Sequence, residues 1–104
     1  MKISLTDKLS TEKPIIELNG KEYQVDNRRD TVFKVTELLE DTSDLGGFEK
    51  VIGIVLGEDA AKEIIAMNLP LADYQVIIIG IFAAMNNEPY EEIEKRFQQQ
   101  FKDN

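Results

Sequence analysis

Pro14-Ile15-Ile16-Glu17-Leu18-Asn19-Gly20-Lys21-Glu22-Tyr23-Gln24-Val25 consists of two alternating runs on either side of Asn19-Gly20. That dipeptide supplies the positive φ angles of a two-residue type I′ turn, so the segment reads as a β-hairpin over 14–26. A two-residue turn also sets the register: Leu18 opposite Lys21, Glu17 opposite Glu22, and Ile16 opposite Tyr23. Ile16, Leu18, Tyr23 and Val25 then share one apolar face, while Glu17, Glu22 and Gln24 face water. A lone hairpin is marginal in water, so the apolar face needs something to pack on.

The chain after the hairpin supplies it. From Asp30 the apolar period changes from two to about three and a half. Asp30 is placed to cap a helix whose stripe is Val32, Val35, Leu38 and Leu39. Gly46-Gly47 is expected to end that segment or its loop. Phe48, Val51, Ile52 and Val55 recur at helical spacing and stop at Gly57. Glu58-Asp59 suits the start of a short helix with Ala61, Ile64, Ile65 and Met67 inside, closing near Asn68. Pro70 fits the first turn of the next segment, Leu71 to Asn86, which is apolar all round from Val76 onward. Val76-Ile77-Ile78-Ile79 has strand propensity, but Ala83-Ala84-Met85 continues the run and its total length favours a central buried helix. Pro89 opens the last helix, with Glu91 and Glu92 near its positive end and Lys95, Arg96 and Lys102 near its negative end. Glu91–Lys95 and Glu92–Arg96 are i, i+4 pairs in the favoured order.

Before the hairpin, 1–13 carries scattered Ile3, Leu5 and Leu9 without a period and reads as an arm. The expected fold class is α+β, mostly α: one domain over 1–104, with a 1–13 arm, a 14–26 hairpin packed on a bundle of about five helices, and that bundle spanning 30–102.

Composition narrows the chemistry. The 104 residues include no Cys and no His, with 20 acids against 12 bases for a net charge of −8. At 11.9 kDa a folded chain exposes roughly 6,000 Å² and buries about two thirds of its extended surface. Without His or Cys there is no Ser-His-Asp or Cys-His nucleophile pair, no thiolate redox chemistry and no ordinary zinc site. Acidic charge opposes nucleic-acid binding. The one basic pair, Arg28-Arg29, is flanked by Asp26 and Asp30 and reads as a solvated turn. The start of the chain lacks a signal-like apolar stretch, and Val76 to Met85 is about half a membrane span. The expectation is a cytoplasmic protein without membrane, nucleic-acid, metal or cofactor partners.

The motif search points away from catalysis. Glu40-Asp41-Thr42-Ser43-Asp44-Leu45-Gly46-Gly47 fails as a calcium loop. With Gly46 at the sixth position, Leu45 and Ile52 fall where oxygen ligands are needed. No carboxylate pair is marked for acid–base work, and Gly53, Gly57 and Gly80 form no phosphate-binding loop. No enzymatic activity is expected.

Two surfaces remain as candidates for a protein partner. Glu37, Glu40, Asp41 and Asp44 fall at i, i+3, i+4 and i+7, where like charges repel and oppose the helix dipole. Phe33 lies on the same side one turn earlier. One reading is a solvated acidic face with Phe33 covered by the hairpin. The other is a docking surface for a basic or amphipathic partner, anchored by an aromatic. On the last helix, Tyr90, Ile93, Phe97 and Phe101 read either as core or, toward Phe97 and Phe101, as a surface that receives a partner or a second copy.

Three segments carry a family resemblance. These are Ile16-Glu17-Leu18-Asn19-Gly20-Lys21-Glu22-Tyr23 ahead of a helical bundle, the Leu56-Gly57-Glu58-Asp59-Ala60-Ala61-Lys62-Glu63-Ile64 turn, and Leu69-Pro70-Leu71-Ala72-Asp73-Tyr74 opening an apolar helix. From about Ile15 to Phe101 this organisation resembles the small tail assembly chaperones of long-tailed bacteriophages infecting Gram-positive bacteria. The resemblance implies a non-enzymatic protein of the host cytoplasm that binds the hydrophobic tape-measure protein, keeps it soluble and passes it to tail-tube subunits. It also implies possible self-association, and it transfers no site residue. Two other readings stay open: a structural head–tail connector or tail component, and a small acidic regulator of a DNA-binding protein.

Overall fold

A computed structural model describes residues 1–9, 12–41 and 44–102, with side chains described through Gln98. Its order is a 3-10 turn (Thr6–Lys8), β1 (Ile15–Leu18), β2 (Lys21–Gln24), then α1 (Arg29–Asp41), α2 (Leu45–Leu56), α3 (Glu58–Ala66), α4 (Leu71–Asn86) and α5 (Tyr90–Lys102). The fold is α+β, mainly α, with an N-terminal antiparallel hairpin and five helices.

The hairpin takes the register its turn dictates: Ile16 opposite Tyr23, Glu17 opposite Glu22 and Leu18 opposite Lys21. Asn19 and Gly20 have φ of 55° and 85°, the positive pair a type I′ turn requires. Tyr23 and Val25 are buried, and Ile16 and Leu18 pack against the core. β1 lies on α4, while Lys21 and Tyr23 both reach Glu63 of α3, at 2.6 and 3.1 Å. The Lys21 ammonium, then the Tyr23 hydroxyl, hold the Glu63 carboxyl below its usual range.

α2 packs on α1, α3 and α4, which places its apolar stripe at the centre. Phe48, Val51 and Ile52 are fully enclosed, together with Val35 of α1, Ile64 of α3, and Ile78 and Ile81 of α4. α2 passes directly into α3 at Gly57, whose φ of 101° and ψ of 160° belong to glycine's part of the map. Val76 to Ile79 are helical, within an α4 that runs from Leu71 to Asn86 and closes on left-handed Asn87. No described helix is long and apolar enough to cross a membrane.

Several local expectations need correction. Gly46 and Gly47 lie in the first turn of α2 rather than ending the preceding segment. Asp30 sits in the first turn of α1 and pairs with Arg29 at 3.1 Å instead of capping the helix. Ile65 and Met67 face outward, 42% and 37% exposed, because α3 buries only Ala60, Ala61 and Ile64. On α5, Arg96 reaches back to Glu88 at 2.6 Å and Lys95 approaches Glu92 at 4.0 Å, in place of the two i, i+4 pairs. Glu88 precedes the helix and is partly enclosed, a better site for a charge-assisted contact than an exposed rung.

The folded chain exposes 7640 Å², well above the roughly 6,000 Å² its mass implies. Part of the excess is apolar. Ile3, Leu5 and Leu9 on the arm, and Leu71 and Val76 on α4, are all more than half exposed.

Candidate functional site

α1 delivers Phe33, Glu37, Glu40 and Asp41 to solvent, and all four are exposed. The hairpin does not cover Phe33, which is 53% exposed and carries the Arg29 guanidinium 4.7 Å from its ring centroid. Asp44 does not continue this face. α1 ends at Asp41, and Asp44 is the N-cap of α2, its Oδ1 accepting the Gly47 N–H at 2.9 Å. The expected four-residue acidic stripe is therefore three residues on one helix followed by a capping residue on the next.

Nor is the acidic face uniform where it meets α2. Glu37 and Asp41 line an open groove with Lys34, Lys50 and Glu58, over a floor that includes Leu38 and Ile54. Five of the eight lining residues are charged, in both signs, so the groove has no single-sign field. At the start of α1 the basic pair is neutralised locally: Arg28 is held by Asp26 and Arg29 by Asp30.

The second surface is chemically different. α4 is apolar on every side from Val76 onward and packs on α2, α5 and β1, yet Leu71 and Val76 remain more than half exposed. Ala72, Gln75, Val76 and Ile79 recur at i, i+3, i+4 and i+7 on its groove side, where Ala72 and Val76 are exposed, Gln75 is partly so and Ile79 is buried. Opposite them α5 presents Tyr90, Glu94, Phe97 and Gln98. The two rows enclose an open groove of about 600 Å³. One of its eight lining residues is charged, against five of eight in the α1–α2 groove.

Tyr90 is half-buried, and burial, reinforced by Glu94 and Glu91, raises its hydroxyl pKa above the usual value; the groove stays uncharged there. Phe97 packs partly against the core with one side on the groove. Tyr90 and Phe97 thus share a site with α4, while the Phe101 side chain lies outside the described residues. Ile93 is buried and belongs to the core.

Periodicity missed Val76, the floor of this groove. A helix apolar on all sides has no polar stripe to announce which side stays open. The available signal was a different one: a 104-residue chain with one hairpin has few elements with which to surround such a helix.

Among the described residues no cluster of acids, His or Cys could hold a metal ion. What the arrangement offers chemically is a partly aromatic trough with a single charged residue, Glu94, of a size that takes one face of a helix. No family model matches the chain, and no curated protein or solved structure matches it.

Proposed function

We propose that this chain is a non-enzymatic protein-binding protein that holds an apolar, helix-forming segment of a partner in the α4–α5 groove. In the role implied by the resemblance of its hairpin and helix-opening segments, that partner is a phage tape-measure protein. The chain keeps it soluble in the bacterial cytoplasm during tail assembly, as a tail assembly chaperone.

The observation that carries this reading is Val76. It is 51% exposed on a helix that is apolar all round from this residue onward, in a strongly acidic chain, and it shares the groove lining with Ile79, Tyr90 and Phe97. Enclosing a large aliphatic side chain contributes about 1.5–3 kcal/mol, and a helix face laid along the trough would enclose several on both sides. The surrounding charge of −8 keeps such a complex soluble while its apolar surfaces are paired. The mixed charges of the α1–α2 groove fit a nucleic-acid mimic less well, since that role calls for a continuous negative field.

Co-expression tests the proposal. A tape-measure fragment that is insoluble alone is expected in the soluble fraction when this chain is present. A fragment that is equally insoluble with and without it contradicts the reading.

A further inference from the structure

The molecule has a second apolar feature with nothing packed on it, and it lies on the same chain as the groove. Ile3, Leu5 and Leu9 are 72%, 61% and 67% exposed. The 3-10 turn Thr6–Lys8, closed by the Lys8 N–H on the Leu5 carbonyl at 2.9 Å, places Leu5 and Leu9 one turn apart. Three exposed aliphatics thus fall within seven residues of one segment.

Length permits the two features to meet. Pro14 lies nine positions after Leu5, a reach of roughly 30 Å at about 3.3 Å per residue. β1 follows Pro14 directly and lies on α4, whose 16 residues extend about 24 Å. The arm therefore leaves the fold beside the helix that floors the groove, with enough chain to reach Val76 from any point along it. Charge favours the encounter. Residues 1–9 carry Lys2 and Lys8 against Asp7, whereas the groove's one charge is Glu94, with Glu91 one turn before it on α5.

We propose that the arm around Leu5 seats in its own α4–α5 groove over Val76, as an internal ligand that an incoming partner displaces. This rests on reading the groove as a docking site. The occupant is the same chain rather than a second copy because a short tether holds the arm at an effective concentration in the millimolar range. That exceeds micromolar protein by about a hundredfold or more. Seated, the arm shields the groove until a longer apolar helix competes it out, which guards the unloaded protein against self-aggregation.

The native chain has no cysteine, so a disulfide between two introduced ones reports the contact directly. Full-length Leu5→Cys/Val76→Cys is oxidised in a glutathione buffer at low micromolar protein, beside Leu5→Cys/Glu40→Cys, whose second cysteine lies on the exposed face of α1. A third variant, Leu5→Cys/Gln98→Cys, places the second cysteine at an exposed position on the opposite groove wall and serves if Val76→Cys perturbs folding.

The groove pairs are expected to close as a fast-migrating monomer at least about tenfold faster than the α1 pair, at a rate independent of protein concentration. Equal rates for groove and α1 pairs overturn the proposal, as does crosslinking that gives only covalent dimers. No partner is used, so this test can fail while capture of a partner still stands, and the reverse also holds.

Discussion

The Asp26 carboxylate and the Arg28 guanidinium meet through two parallel hydrogen bonds, Nε to Oδ1 at 3.0 Å and the terminal nitrogen to Oδ2 at 2.9 Å. The Thr31 hydroxyl and the Arg28 backbone N–H also donate to this carboxylate, at 2.9 and 3.1 Å, and the Asp26 N–H donates to the Val55 carbonyl at 3.1 Å. One residue thus joins the end of β2, the start of α1 and the last turn of α2. This joint and the Lys21–Glu63 contact tie the hairpin to α1, α2 and α3.

Acid should loosen that joint. The Arg28 guanidinium, with the backbone and Thr31 donors, holds the Asp26 carboxyl well below the usual carboxylate range. A carboxyl depressed in the folded state contributes stability that is present above its unfolded pKa of about 3.9, and that stability is lost as pH falls below it toward the folded value. Asp26→Asn is expected to cost about 1–3 kcal/mol at pH 7 and to flatten the decline of stability below pH 4. Urea unfolding at pH 7 and pH 3 checks both; an unchanged acid dependence would contradict the account.

Asp44→Ala should lower stability by about 1 kcal/mol, because it removes the bond to the Gly47 N–H that caps α2. Asp44→Asn should recover most of the loss, since an amide oxygen caps nearly as well. Thermal unfolding of the two variants separates capping from a role of Asp44 in an acidic docking face, which would be sensitive to charge alone.

Gly57→Ala is expected to cost about 1–3 kcal/mol through backbone strain. A Cβ at this position would meet nothing within 4 Å, so steric clash does not contribute and no compensating change in a neighbour should rescue the variant. Chemical denaturation of the single variant measures the strain directly.

Phe33→Ala should change stability by no more than about 0.5–1 kcal/mol, the range of an exposed cation–π contact. If Phe33 anchors a partner, its loss appears in binding and not in the unfolding midpoint.

The parts of the fold that were legible in the sequence were those set by short-range chemistry. Asn19-Gly20 allows one turn geometry, so every cross-strand pair followed from it, and the spacing of Phe48, Val51, Ile52 and Val55 identified the enclosed face of α2. Choices between equivalent partners were harder to read. Asp44 continues the i+7 spacing of the α1 acids, and nothing in its own position says that α1 stops at Asp41 and that the Asp44 carboxylate turns to the next helix. Arg96 had Glu92 at the favoured spacing yet takes Glu88, which lies before α5 begins. The candidate site was half legible. Tyr90 and Phe97 stood out as an aromatic stripe, but which side of α4 stays open is a property of the assembled neighbours.

The central claim is that a partner helix lies over Val76. Val76→Lys puts a charge in the groove at a position already 51% exposed, and lysine is a good helix former, so folding should survive with a change of no more than about 1 kcal/mol. Calorimetric titration of the native chain and of Val76→Lys with one tape-measure fragment measures the consequence. The account predicts at least tenfold weaker binding for the variant with its circular dichroism unchanged, and equal affinities for the two proteins would contradict it.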